Sequence, residues 1–224
     1  MDQDHEQFLT EWANIYTGNQ SLNPHSHPFN KDGIVNQEMW ALRGRSQRCL
    51  FLLKETNEYP GDVRELQPWK RLGVWSYVFS HSDAGELPSF SVAETPTEWT
   101  KAFKESAWIN LRKLSGKGQA QMQPIREFVF EHSGNRDRLR QQVLWHIKPG
   151  VVICGGRDVY EVATQLFDFG AGQPKGPDWC VHNGIVWISF FHPSARLCEK
   201  TAFYALARLY RDALLASGAP SVAE

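Results

Sequence analysis

Gly184-Ile185-Val186-Trp187-Ile188-Ser189-Phe190-Phe191-His192-Pro193-Ser194-Ala195-Arg196 sets an almost unbroken apolar run against an abrupt polar turn. A run this short and this apolar suits a strand covered on both faces, because a half-exposed strand would alternate. Pro193 offers no backbone donor, so the strand must end at about His192. The polar residues therefore leave the sheet at the strand's carboxyl end.

Three earlier runs read the same way. Arg48-Cys49-Leu50-Phe51-Leu52-Leu53 gives the first strand, Ala107-Trp108-Ile109-Asn110-Leu111 the second, and Gly150-Val151-Val152-Ile153-Cys154, closed by Gly155-Gly156, the third. Between and around them lie patterns of helical period. Phe8, Leu9, Trp12, Ile15 and Tyr16 give an amphipathic helix over 5–17 that stops near Gly18. Residues 122–147 carry a second helical pattern broken at Ser133-Gly134, and helices also fit 157–168 and 199–216. Strands separated by helices of this length make βαβ units. The expected fold is α/β, a three-layer α/β/α arrangement with a central, mainly four-stranded parallel sheet. One domain is expected over 1–224, with an N-terminal helical segment and loop over 1–46 and the core over 47–216.

Composition narrows the function. The 224 residues are 42% hydrophobic and 22% charged, with a formal net charge of −1, so no global positive field draws in a polyanion and any nucleic-acid contact must be local. Cys49, Cys154, Cys180 and Cys198 are widely spaced without a Cys-x-x-Cys pair, which reads as buried free thiols and not as a metal cluster. His25-Ser26-His27 lacks a third ligand and reads as solvated loop. No cofactor is expected. The acidic start, Met1-Asp2-Gln3-Asp4-His5-Glu6, leads into no apolar leader and no run is long enough to span a bilayer, so a cytoplasmic or nucleoid-associated monomer without membrane contact is expected.

In open α/β sheets ligands bind where strand carboxyl ends open into loops. Those loops hold Lys54-Glu55-Thr56-Asn57-Glu58, then Asn110 with Arg112, Lys113 and Lys117, then Gly155-Gly156-Arg157, and finally His192-Pro193-Ser194-Ala195-Arg196. Carboxylates, an amide, a histidine, a hydroxyl and cations in one place suit hydrolysis near a phosphodiester. Each has a plainer reading. Asn110 could close a turn, Glu55 and Glu58 could be solvated, and Ser194 could cap a helix starting near 197.

The order of a polar motif after the first strand, an asparagine after the second and a His-Pro-Ser motif after the last resembles the uracil-DNA glycosylase superfamily, over roughly residues 48–200. The closing His192-Pro193-Ser194-Ala195-Arg196 is similar to the form in its single-strand-selective branch. The resemblance implies that the chain flips a uracil or other damaged base out of single- or double-stranded DNA and cleaves its N-glycosidic bond. It implies that His192 sits against the pyrimidine O2 and stabilises the charge developing there, and that Asn110 reads the base edge. Water activation falls to Glu55, with Asn57 or Glu58 as substitutes, although Lys54 stands where the family has a small glycine. A stacking ring comes from the segment holding Tyr59, Trp69, Trp75, Tyr77 and Phe79, with Trp69 or Trp75 preferred. Ser194, Arg196, Arg112 and Lys113 are the expected phosphate contacts. Two other readings stay open: a nucleic-acid-binding member of this fold with altered catalysis, and a nucleotide-binding protein of flavodoxin-like build.

Overall fold

The four apolar runs lie side by side because each is buried on both faces and can satisfy its backbone only in the middle of a sheet. The computed structural model describes residues 3–56, 62–65, 69–82, 87–116, 120–171 and 173–217. Its strands are β1 (Gly33–Ile34), β2 (Cys49–Leu53), β3 (Ala107–Asn110), β4 (Val151–Gly155), β5 (Trp179–His182) and β6 (Ile185–Phe190). Every residue of β2, β3, β4 and β6 is buried.

The sheet order is β1-β3-β2-β4-β6-β5. The four predicted strands are its parallel centre, β3-β2-β4-β6. Two antiparallel edge strands, β1 on β3 and β5 on β6, were not expected, so the sheet is six-stranded and mixed. The chain leaves β2 for β3 on one side and then returns to lay β4 on the other. This reversal places a crevice between the carboxyl ends of β2 and β4.

Helices cover both faces: α1 (Gln3–Tyr16), α2 (Gln37–Ala41), α3 (Lys70–His81), α4 (Phe90–Ala93), α5 (Pro96–Lys104), α6 (Met122–Arg126), α7 (Asn135–Gln141), α8 (Arg157–Leu166) and α9 (Glu199–Ala216). Wider π-type turns over Glu127–Glu131 and Gln142–Ile147 extend α6 and α7. The break expected at Ser133-Gly134 is present, with Gly134 at φ 78°. Alternation along the strands sorts the core into two layers. Leu50, Leu52, Ile109, Val152 and Trp187 pack with α1, α6, α7 and α8, whereas Phe51, Trp108, Ile153, Ile188 and Phe190 pack with α3, α5 and α9. Burying one such Leu, Ile or Phe contributes about 1.5–3 kcal/mol, and the two layers hold several dozen apolar residues between them.

The thiols depart from expectation at one place. Cys49, Cys154 and Cys180 are buried as small hydrophobes, but Cys198 is exposed immediately before α9. Among the described residues no helix is long and apolar enough to cross a membrane.

Candidate functional site

β6 delivers His192 to the sheet's carboxyl edge on a tight turn in which Ala195 N–H donates to His192 O at 2.8 Å, with Pro193 at the second position where its fixed φ fits. The imidazole is half-buried. Its Nδ1 lies 2.7 Å from Ser194 Oγ and accepts the Ser194 backbone N–H at 3.2 Å. A nitrogen that accepts an N–H carries no proton of its own, so the neutral ring holds its hydrogen on Nε2. Burial, and then the positive charge of Lys54, lower the His192 pKa, so the ring is neutral near pH 7. Ser194 thus orients the histidine; it does not cap α9, whose N-cap position is Cys198.

The end of β4 lies beside this ring. A Cβ on Gly155, the last residue of β4, would lie 2.7 Å from Leu53 Cδ2 and 3.4 Å from His192 Cδ2. With no side chain there, the imidazole leans over the end of β4 toward the crevice.

Register carries the row across to Asn110. Asn110 pairs with Leu53, and Gly155 with Phe190, so these residues stand level at the strand ends. From β3 across β2 to β4 are two strand spacings, about 10 Å. Asn110 is buried, and its backbone N–H donates to Asp32 Oδ2 at 2.8 Å. It does not close a turn. The pairing with β2 continues beyond it, through Leu111 N–H to Leu53 O and Arg112 N–H to Lys54 O.

Trp69 links the two ends. Its ring centroid lies 6.3 Å from that of His192 and 6.4 Å from that of Trp108, on the same face of the sheet as Asn110 by alternation. Trp75 is 0% exposed and packs edge-on against Phe190 at 5.0 Å, so it belongs to the core and cannot stack on a ligand.

Glu55 and Arg112 spend their charge on each other, with Oε2 to Nη1 at 2.6 Å and side chains only 4% and 14% exposed. The carboxylate lies against Gly116, where a Cβ would come within 1.9 Å of Glu55 Oε1. Arg112 is therefore a partner of Glu55 before it is a phosphate contact. Lys113 is no phosphate contact at all, because its ammonium is 0% exposed and paired with Asp32. Lys54 spans the crevice to Asp158 at 3.2 Å. Arg196 is exposed at the end of the His192 turn, where solution anions can reach it. Asn57, Glu58, Tyr59 and Lys117 lie outside the described residues.

Two further residues shape the site without a local signal in the sequence. Arg71 on α3 donates to the carbonyls of Pro193, at 2.6 Å, and Ala195, and its Nε lies 3.4 Å from Glu199, so it clamps the turn that carries His192. Phe191 stands 52% exposed beside His192, an apolar ring presented to solvent. The open clefts around Trp145 and along residues 16–29 share no lining residue with this constellation. Among the described residues no group of three His, Cys, Asp or Glu side chains could hold a metal ion. Compared with known proteins, the chain matches no family model and no curated protein.

Proposed function

We propose that this chain is a DNA glycosylase-like hydrolase of the uracil-DNA glycosylase type, acting on a uracil or other damaged base turned out of the DNA stack. The observation that carries the reading is the His192–Ser194 contact. By occupying Nδ1, it leaves Nε2 as the N–H donor of a neutral ring. A neutral donor suits a leaving base that becomes an anion, since it stabilises the charge on O2 as the bond breaks without first protonating the base. Asn110, at the end of β3, offers an amide donor and acceptor to the base edge, and Trp69 offers a ring face.

In this reading water adds to C1′ as the C1′–N bond breaks. The electron pair leaves with the base, and the water proton passes to the Glu55 carboxylate. Arg112 holds that carboxylate in place. The Glu55–Arg112 ion pair also favours a second reading, a nucleic-acid-binding member of the same fold with altered catalysis, because the guanidinium already occupies Glu55 Oε2.

The two readings separate by incubation with single- and double-stranded oligonucleotides carrying uracil, hypoxanthine or xanthine, followed by alkali. Strand breaks that disappear in His192→Ala and fall in Asn110→Ala and Glu55→Gln are expected of the hydrolase. Salt-sensitive binding without breaks on any lesion would leave the second reading.

A further inference from the structure

The amino-terminal edge of the sheet, opposite to His192, carries a different constellation. Lys148 lies three residues before β4, Arg45 and Arg48 lie in the turn before β2, and Asn183 leads into β6. Together with Leu144 and Trp145 they line one open groove. Trp145 is 72% exposed, the most exposed Phe, Tyr or Trp among the described residues. A tryptophan left in solvent forfeits the burial that its large apolar surface would otherwise gain.

The cations around it are built into place. A Cβ on Gly150 would meet the Arg45 carbonyl oxygen at 2.0 Å, so glycine there lets the 3-10 turn Arg45–Gln47 lie directly on the start of β4. Arg48 O accepts the N–H groups of Gly150 and Val151, and Tyr210 Oη donates to Ser46 O at 3.0 Å. Lys148 is held at φ 53°, a left-handed conformation uncommon for a residue with a Cβ. Arg45 and Lys148 are exposed and form no ion pair among the described residues. Arg48 lies over Trp40 at 5.7 Å, and its Nε is buried without a hydrogen-bond partner among the described residues.

Three cations, no carboxylate and one open ring in a single groove match the chemistry of a nucleotide chain: phosphates for the cations and a base for the indole. We propose that this groove binds single-stranded nucleic acid, with a base stacked on Trp145 and the flanking phosphates on Arg45, Arg48 and Lys148. The binding is independent of sequence and separate from the chemistry at His192. The adjoining groove shares Trp145 and Lys148 but also carries Asp4 and Asp137, so the strand runs on the Arg45 side. A duplex binds more weakly, because its bases are already stacked on one another and its indole contact is lost.

The test is fluorescence anisotropy with a labelled oligothymidylate of about 15 nucleotides, within the usual site sizes for single strands. Trp145→Ala is expected to weaken binding about tenfold, the loss of one base-aromatic stack. Arg45→Gln with Lys148→Gln is expected to lower the slope of log K against log salt by about 1.4, two phosphate contacts at about 0.7 each for single strands. Arg126→Gln, a surface cation outside both sites, should leave affinity and salt slope unchanged. All three positions are on the surface, and circular dichroism verifies that the variants fold. Affinity and salt slope unaltered in both groove variants would overturn the proposal. So would self-association abolished by Trp145→Ala without any oligonucleotide binding, which would make the surface a protein interface.

Discussion

Asp32 and Lys113 form an ion pair wholly sealed from solvent, with Nζ 2.6 Å from Oδ1 and both side chains 0% exposed. Asp32 also accepts from the Asn110 backbone N–H and from Gln142 Nε2 at 3.0 Å, so one carboxylate ties the end of β3 to the far helical layer. Burial lowers the Lys113 pKa and the Asp32 charge opposes that shift. Removing one partner strands the other charge. Lys113→Met and Asp32→Leu are each expected to cost about 3–5 kcal/mol in urea unfolding, while the double substitution should recover most of the loss. A double variant as unstable as the sum of the singles would refute this account.

His5 predicts an acid limit to stability. It is 1% exposed, stacks on His146 at 5.1 Å, and has a pKa lowered from 6.5 to about 4 by burial, then by His146, Arg64 and Lys113, against a raising contribution from Glu6. Between pH 6.5 and 4 the unfolded chain binds a proton at this histidine that the native chain does not. Stability therefore falls as pH drops through that window, by on the order of 3 kcal/mol. Urea midpoints for the wild type and His5→Gln should converge at low pH; parallel curves would assign the acid loss elsewhere.

The His192 tautomer is directly measurable. Long-range proton–nitrogen correlation spectra should show the hydrogen on Nε2, and in Ser194→Ala, which keeps the backbone N–H donor to Nδ1, it should stay there. Lys54→Met removes the nearby positive charge and should raise the His192 pKa in the same titration. A ring protonated on Nδ1 in the wild type would contradict the arrangement.

Arg71 offers a structural lever on the site. Truncation to Ala leaves the Pro193 and Ala195 carbonyls without their donor, at a cost of about 1–3 kcal/mol. Amide exchange should accelerate at residues 192–199 and stay unchanged in β2. Equal acceleration throughout would mean global loosening.

The parallel core was legible because strands buried on both faces announce themselves as unbroken apolar runs. The edges were not. β1 is two residues inside a loop, and β5 takes its identity from pairing with β6, which no local pattern encodes. α3 escaped notice because Leu72, Val74, Trp75, Tyr77, Val78 and Phe79 bury it nearly all round, leaving no polar stripe to mark a period. At the site, the turn at His192 could be read from Pro193. The fate of Lys113 could not, since the carboxylate that buries it lies 81 residues away, and Arg71 reaches its carbonyls across 122 residues or more.

Of the four cysteines only Cys198 meets solvent, and hydrogen bonds from Thr201 lower its thiol pKa and favour the reactive thiolate. It adjoins Glu199, which shares Arg71 with the turn bearing His192. The native chain thus already carries a single attachment point for a maleimide dye, placed where any shift of that turn would change the emission, with no cysteine to add or remove.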